Sequence, residues 1–157
     1  MFTIEVDLSD FEGAWKAEIA NAAAAVKGAV TDAAQEGIRA VRQDPPFVRR
    51  TGALQDLAAP KRVASWSMGE TVDIVWRAPH ALYVEKGTPP HIIRPKGSHK
   101  LRFYWERIGE WVELSRVEHP GTQPRPFTPI AERAAETFLT ARLERVAEAL
   151  ASRINAG

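Results

Sequence analysis

The 157-residue chain has no cysteine. That absence removes disulfides, thiolate nucleophiles and every cysteine-ligated zinc or iron–sulfur centre. A small secreted scaffold held by disulfide staples is excluded with them. No uninterrupted apolar run approaches the ~20 residues a membrane-spanning helix needs, so no membrane partner is expected. The opening residues, MFTIEVDLSD, have neither the basic start nor the apolar stretch of a signal peptide, and use without export by the general secretory route is expected. The formal net charge is only +1, which argues against a surface that binds polyanions everywhere. HExxH, GxGxxG and Walker A patterns are also missing, as is any serine nucleophile motif.

What remains is ordinary in bulk: 45% apolar and 26% charged residues, in a length that buries roughly 70% of its unfolded surface as one domain. The small net charge hides an uneven distribution. Residues 1–46 carry four basic and eight acidic side chains, and residues 103–157 seven and eight. Between them, residues 47–102 carry ten basic and four acidic ones. This basic middle suits nucleic acid or an acidic neighbouring subunit, although a solvated strand face has the same composition.

Periodicity organises the chain. Phe2 to Val6 alternates as a short half-buried strand does. Ser9 and Glu12 fit a capping box for a helix over 9–43, whose stripe includes Phe11, Trp15, Ile19, Val26, Val30, Ile38 and Val41. Asp44-Pro45-Pro46 ends it. Residues 47–60 read as a loop with one helical turn. Lys61–Ser67 and Thr71–Trp76 form an expected hairpin around Met68-Gly69-Glu70, and 101–105 with 111–114 a second around Ile108-Gly109. Residues 115–128 read as an extended arm rich in turns. Thr128 as N-cap and Pro129 at the first helical position start a helix over 129–155. Helix, strands, helix without βαβ alternation predicts an α+β fold: one antiparallel sheet of four to five strands covered by the long N-terminal helix and the C-terminal helix, in a single domain spanning 1–157.

Chemistry would have to come from His80, Glu85, His91, His99 and His119. His80 and His91 are too far apart for one helical turn of a zinc site, and His80 with Glu85 has no nucleophile to activate. Histidines beside prolines suit turn caps that donate to backbone carbonyls. Neither an enzyme nor a metal or cofactor is therefore expected. The tryptophans at 66, 76, 105 and 111 sit in strand patterns, where aromatics serve sheet packing, and no helix-turn-helix, zinc finger or RNP motif is present. Sequence-independent contact with a DNA backbone is the alternative reading, and a metal-assisted hydrolase a distant third.

Three segments then stand in order: Arg49-Arg50-Thr51-Gly52-Ala53-Leu54, Ala78-Pro79-His80-Ala81-Leu82-Tyr83-Val84-Glu85-Lys86-Gly87-Thr88 with Pro90-His91, and Val117-Glu118-His119-Pro120-Gly121-Thr122 leading into Pro124-Arg125-Pro126-Phe127 and a helix. Over about residues 47–140 this series resembles the tail-completion, or head-tail joining, proteins of tailed bacteriophages, small neck or minor tail proteins. His80 replaces the motif's first aromatic, and Lys86 stands where an aromatic or apolar residue is usual before Gly-Thr.

The resemblance implies a non-enzymatic virion protein, present in the host cytoplasm during assembly. It implies a ring of copies, commonly six-fold, at the head-proximal end of the tail. Its implied partners are other copies and neighbouring connector and tail proteins, with passing double-stranded DNA as an optional further one; no small-molecule substrate is implied. For subunit contacts it directs attention to Arg49 and Arg50 and to the corner holding His80, Tyr83, Glu85, Gly87, Thr88 and His91. The arm holding His119, Pro120, Gly121 and Pro126 belongs with them. Gly87-Thr88-Pro89-Pro90 makes a rigid corner, since glycine permits positive φ and proline sets its own. The proline-rich arm suits reaching over a neighbouring subunit, with Phe127 anchored in a pocket of its own chain or the next. The acid-rich N-terminal region and the basic middle suit opposite sides of a heterologous joint.

Overall fold

The computed structural model describes residues 9–48, 52–97 and 99–156, with side chains from Trp15 to Asn155. The expected strand Phe2–Val6, the capping pair Ser9 and Glu12, and Arg49 with Arg50 lie outside the described residues or side chains. In chain order the elements are α1 (Ser9–Gln43), α2 (Ala53–Asp56), β1 (Ala58–Trp66), β2 (Gly69–Trp76), α3 (Ala81–Lys86), β3 (His91–Ile93), β4 (Leu101–Trp105), β5 (Glu110–Leu114), β6 (Val117–His119) and α4 (Thr128–Ala156). They form two compact units, one of residues up to Ala78 together with Phe127 onward, the other Pro79–Pro126.

In the first unit, α1 buries Ala23, Ala29, Ala33, Ala34, Ile38 and Val41, a stripe at helical spacing among its described side chains. Small side chains on this stripe let α4 come close. A Cβ on Gly37 would lie 2.6 Å from the Ala131 carbonyl oxygen, so only glycine fits that crossing. Arg153 to Glu18 at 2.7 Å and Arg142 to Asp32 at 3.8 Å show that the two helices run antiparallel. β1 and β2 pair antiparallel against α1, with a bulge at Val63. The Ala131 amide donates to the Phe127 carbonyl, so Phe127 rather than Thr128 holds the N-cap position of α4. Burial decides this shift: Phe127 is 2% exposed, edge-on to Trp76 with ring centroids 4.6 Å apart and to Phe47 at 5.8 Å.

Glu70 ties β2 to α1. Its carboxylate is almost wholly buried; Thr31 Oγ1 donates to Oε1 at 2.7 Å, and the exposed Arg62 brings Nε to 2.8 Å from Oε2. That second contact pairs charge with charge but lacks hydrogen-bond alignment, so Oε2 has no donor. Glu70→Ala should lower stability by about 1–3 kcal/mol in urea unfolding, because it strands the Thr31 hydroxyl and opens the β2–α1 seam. An unchanged midpoint would show that water serves both groups equally well.

The α+β content and the two flanking helices agree with the sequence reading, but the single sheet does not. The strands make three separate two-stranded antiparallel pairs, β1–β2, β3–β6 and β4–β5, and α1 and α4 pack on each other rather than side by side on one sheet. Proline is the reason for the β3–β6 pair. Pro89, Pro90 and Pro95 bracket β3, and Pro120 follows β6, so these strands lack the backbone donors to extend their ladder. α3 is a further difference, a six-residue helix inside the polar motif. Its Leu82 and Tyr83 are exposed, so it leaves no apolar stripe to read.

Candidate functional site at two interlocked turns

The second unit is organised around two Gly-Thr dipeptides. Gly87-Thr88 follows α3, and Gly121-Thr122 follows β6. Thr88 and Thr122 form a reciprocal bridge: each backbone amide donates to the other's carbonyl, at 3.0 and 3.1 Å. Their hydroxyl oxygens lie 3.1 Å apart, and the Thr122 amide also reaches Thr88 Oγ1 at 3.1 Å. His91 lies three residues after Thr88 and His119 three before Thr122, and these two residues pair directly in the β3–β6 ladder. The bridge and the ladder are therefore one antiparallel register, interrupted where Pro89 and Pro90 face Gly121 and Pro120.

Both glycines are required by this arrangement. Gly87 has φ +70° with ψ −173°, a backbone region open essentially to glycine alone. A Cβ there would collide with the Thr122 carbonyl oxygen and lie 2.8 Å from Pro124 N. Gly121, at φ +87°, mirrors it, with a Cβ in collision with the Thr88 carbonyl oxygen and 2.9 Å from the Pro89 carbonyl carbon. Each turn thus fills the space that a side chain on the other would need. Downstream, the Arg125 amide donates to Val84 of α3 at 2.9 Å. The Thr122 and Arg125 amides thus tie the proline-rich arm to its own unit.

The histidines divide by wiring. His91 Nδ1 donates to the Pro89 carbonyl at 2.9 Å, the turn-capping role expected of a histidine beside proline. His119 does the opposite, its Nδ1 accepting from the Gly121 amide at 3.0 Å. The rings are tilted neighbours with centroids 5.0 Å apart. With the His119 Nδ1 lone pair used, neutral His119 carries its proton on Nε2, the wrong form for the pair to bind a metal through both Nε2 atoms. Among the described residues no three His, Asp or Glu side chains gather as metal ligands would. His80 is exposed at the start of α3 and makes no side-chain cap. Tyr83 is exposed and Glu85 half-buried on α3, while Pro120 and Pro126 lie on the surface.

Sequence reasoning singled out Gly87, Thr88, His91, His119 and Gly121, and the structure brings these five together. Phe127 stands apart, in a pocket of its own chain, within the first unit. Thr122 as bridge partner, Pro124 against Gly87 and the Val84 carbonyl were not foreseen. The signal for them was present: Gly-Thr occurs twice, followed by proline and histidine in one copy and preceded by histidine and proline in the other.

A second feature of this unit is its aromatic surface. In the β4–β5 hairpin Tyr104 sits opposite Trp111, edge to face at 5.9 Å, and the Arg102 guanidinium lies 5.4 Å from the Trp111 ring centre. Trp111 is 65% and Tyr104 50% exposed. Comparisons with protein-family models, curated proteins and solved structures find no match to this chain. The site is therefore read from its own geometry, that of two turns locked backbone to backbone.

Proposed function

We propose that this chain is a structural subunit of the neck of a tailed bacteriophage, a tail-completion protein that assembles with copies of itself into a ring and joins tail to head. One observation supports assembly above the rest. Among the described residues of 79–126, Ala81 is the single buried one, while Leu82, Tyr83, Ile92, Ile93, Tyr104, Trp105, Ile108 and Trp111 are all exposed. At about 150–250 Å² per large side chain, these eight leave on the order of 800 Å² of apolar surface in water, roughly one partner's share of a standard interface. An isolated two-stranded hairpin is marginal in water, so β4–β5 gains most from being covered. The interlocked turns supply what a docking platform requires, a backbone that loses little freedom on binding. The ordered motif series supports the phage assignment, and the turns are built from the residues that carry it.

Two measurements test the reading. Purified protein should give masses at multiples of 17.4 kDa as concentration rises. A monomer persisting at high micromolar concentration speaks against the ring. Particles made without this protein should appear by negative stain as intact heads and tails left unjoined, and normal virions would refute the neck assignment.

A further inference from the structure

Two surfaces of opposite charge, one on each unit, form no ion pair among the described residues. In the second unit Arg94, Lys96 and Lys100 are exposed between β3 and β4, and no acidic residue occurs between Glu85 and Glu106. None of the three forms an ion pair among the described residues. They lead into β4, whose Arg102–Tyr104–Trp111 face is the exposed aromatic surface. Arginine, tyrosine and tryptophan together are the composition of an interface hot spot.

In the first unit, α4 carries Glu132, Glu136, Glu144 and Glu148, at intervals of four or eight residues, all exposed and none in an ion pair. They lie away from the cleft of about 290 Å³ that α1 and α4 line with Arg142, Arg145 and Arg153. Arg142 and Arg153 are engaged by Asp32 and Glu18 of α1 and Arg145 lines the cleft, so of the α4 arginines the exposed Arg133 alone shares the face of the four glutamates, which stays net negative. Like charges four residues apart weaken an isolated helix. The same outer face exposes Leu143 and Ile154. An acidic surface with apolar side chains among its charges complements a basic surface beside aromatics.

We infer that successive copies join by laying the Arg94, Lys96, Lys100 and Trp111 surface of one copy against the glutamate face of α4 of the next. This rests on the ring reading above and names its joint. Because the two surfaces differ, the contact is heterologous, the kind that closes rings. Opposite charge on the two sides steers encounter and sets register, and like charge there opposes it.

Charge exchange between copies tests the inference. The K96E/K100E variant should oppose its own glutamate face, and the E144K/E148K variant its own basic surface. Each should raise the dissociation constant for assembly at least about 30-fold, with unfolding midpoints close to wild type because all four positions are exposed. An equimolar mixture should recover assembly, since each variant then meets a complementary neighbour on both sides, and native mass spectrometry should show the two in equal number. Variants that assemble as wild type does, or a mixture no better than either alone, overturn the joint while leaving the ring reading standing. Wild-type protein that stays monomeric, as when the basic residues meet the glutamates of their own chain, overturns both. Loss of duplex-DNA binding in K96E/K100E with assembly unchanged assigns the basic residues to nucleic acid and also overturns the joint.

Discussion

Gly121→Ala should unfasten the 79–126 unit, lowering its stability by about 2–5 kcal/mol. About 1–2 kcal/mol comes from holding an L side chain at φ +87°. Another 1–3 kcal/mol comes from driving a methyl group into the Thr88 and Pro89 backbone, which cannot step aside while Thr88 and Thr122 remain bridged. Amide hydrogen exchange reads the effect directly: protection at Thr88, Thr122 and Arg125 should fall together, because those three donors close the same corner. Gly97→Ala is the internal control. Gly97 has the same φ of +87°, but a Cβ there meets nothing within 4 Å. It should show only the backbone part. Equal losses at the two positions would mean that the interlock contributes nothing beyond local strain. Gly87→Ala should match or exceed Gly121→Ala, since its φ and ψ are harder still for alanine.

Phe127→Ala should cost about 3–5 kcal/mol in the other unit, a large share of a small domain's stability. The ring is one of the largest fully buried side chains, and truncation leaves a cavity beside Trp76 and Phe47. The same residue accepts the first helical hydrogen bonds of α4 and sits one helical turn from Ala131, where α4 meets Gly37 of α1. The cavity therefore opens at the point from which the two long helices are held together. Phe127→Leu keeps most of the apolar volume and should lose about 1 kcal/mol. Urea unfolding of both variants checks the ordering. A loss below about 1 kcal/mol for Phe127→Ala would place the ring outside the core.

Both positions were visible in the sequence, but their partners were not. Gly121 was singled out as part of the proline-rich arm, not for its backbone conformation. That it faces Thr88, more than thirty positions earlier, could not be read locally. The repeated Gly-Thr dipeptide hinted at the pairing, yet dipeptide repeats are common enough that only the shared register gives the hint its meaning. Phe127 was legible as an anchor, and both its own chain and a neighbour remained open until Trp76 and Phe47 were seen around it. Alternation located both hairpins within a few residues, because it reports which side of a strand is covered. It carries no information on which strands meet at their edges, so two hairpins that stay separate were read as one sheet, and the β3–β6 pair was not read at all. The prolines around β3 and β6 already argued against that joining.

The sequence by itself determined what depends on neighbours within about four residues: the two long helices, the hairpin turns, the rigidity of Gly87-Thr88-Pro89-Pro90, and the exclusion of all cysteine chemistry. Tertiary structure alone decided that the two turns interlock, that the proline-rich arm lies along its own unit, and that the glutamates of α4 face away from the arginines that pair with α1. These are packing outcomes between residues far apart in the chain. They follow from which surfaces exclude water together, a choice that no local pattern of residues encodes.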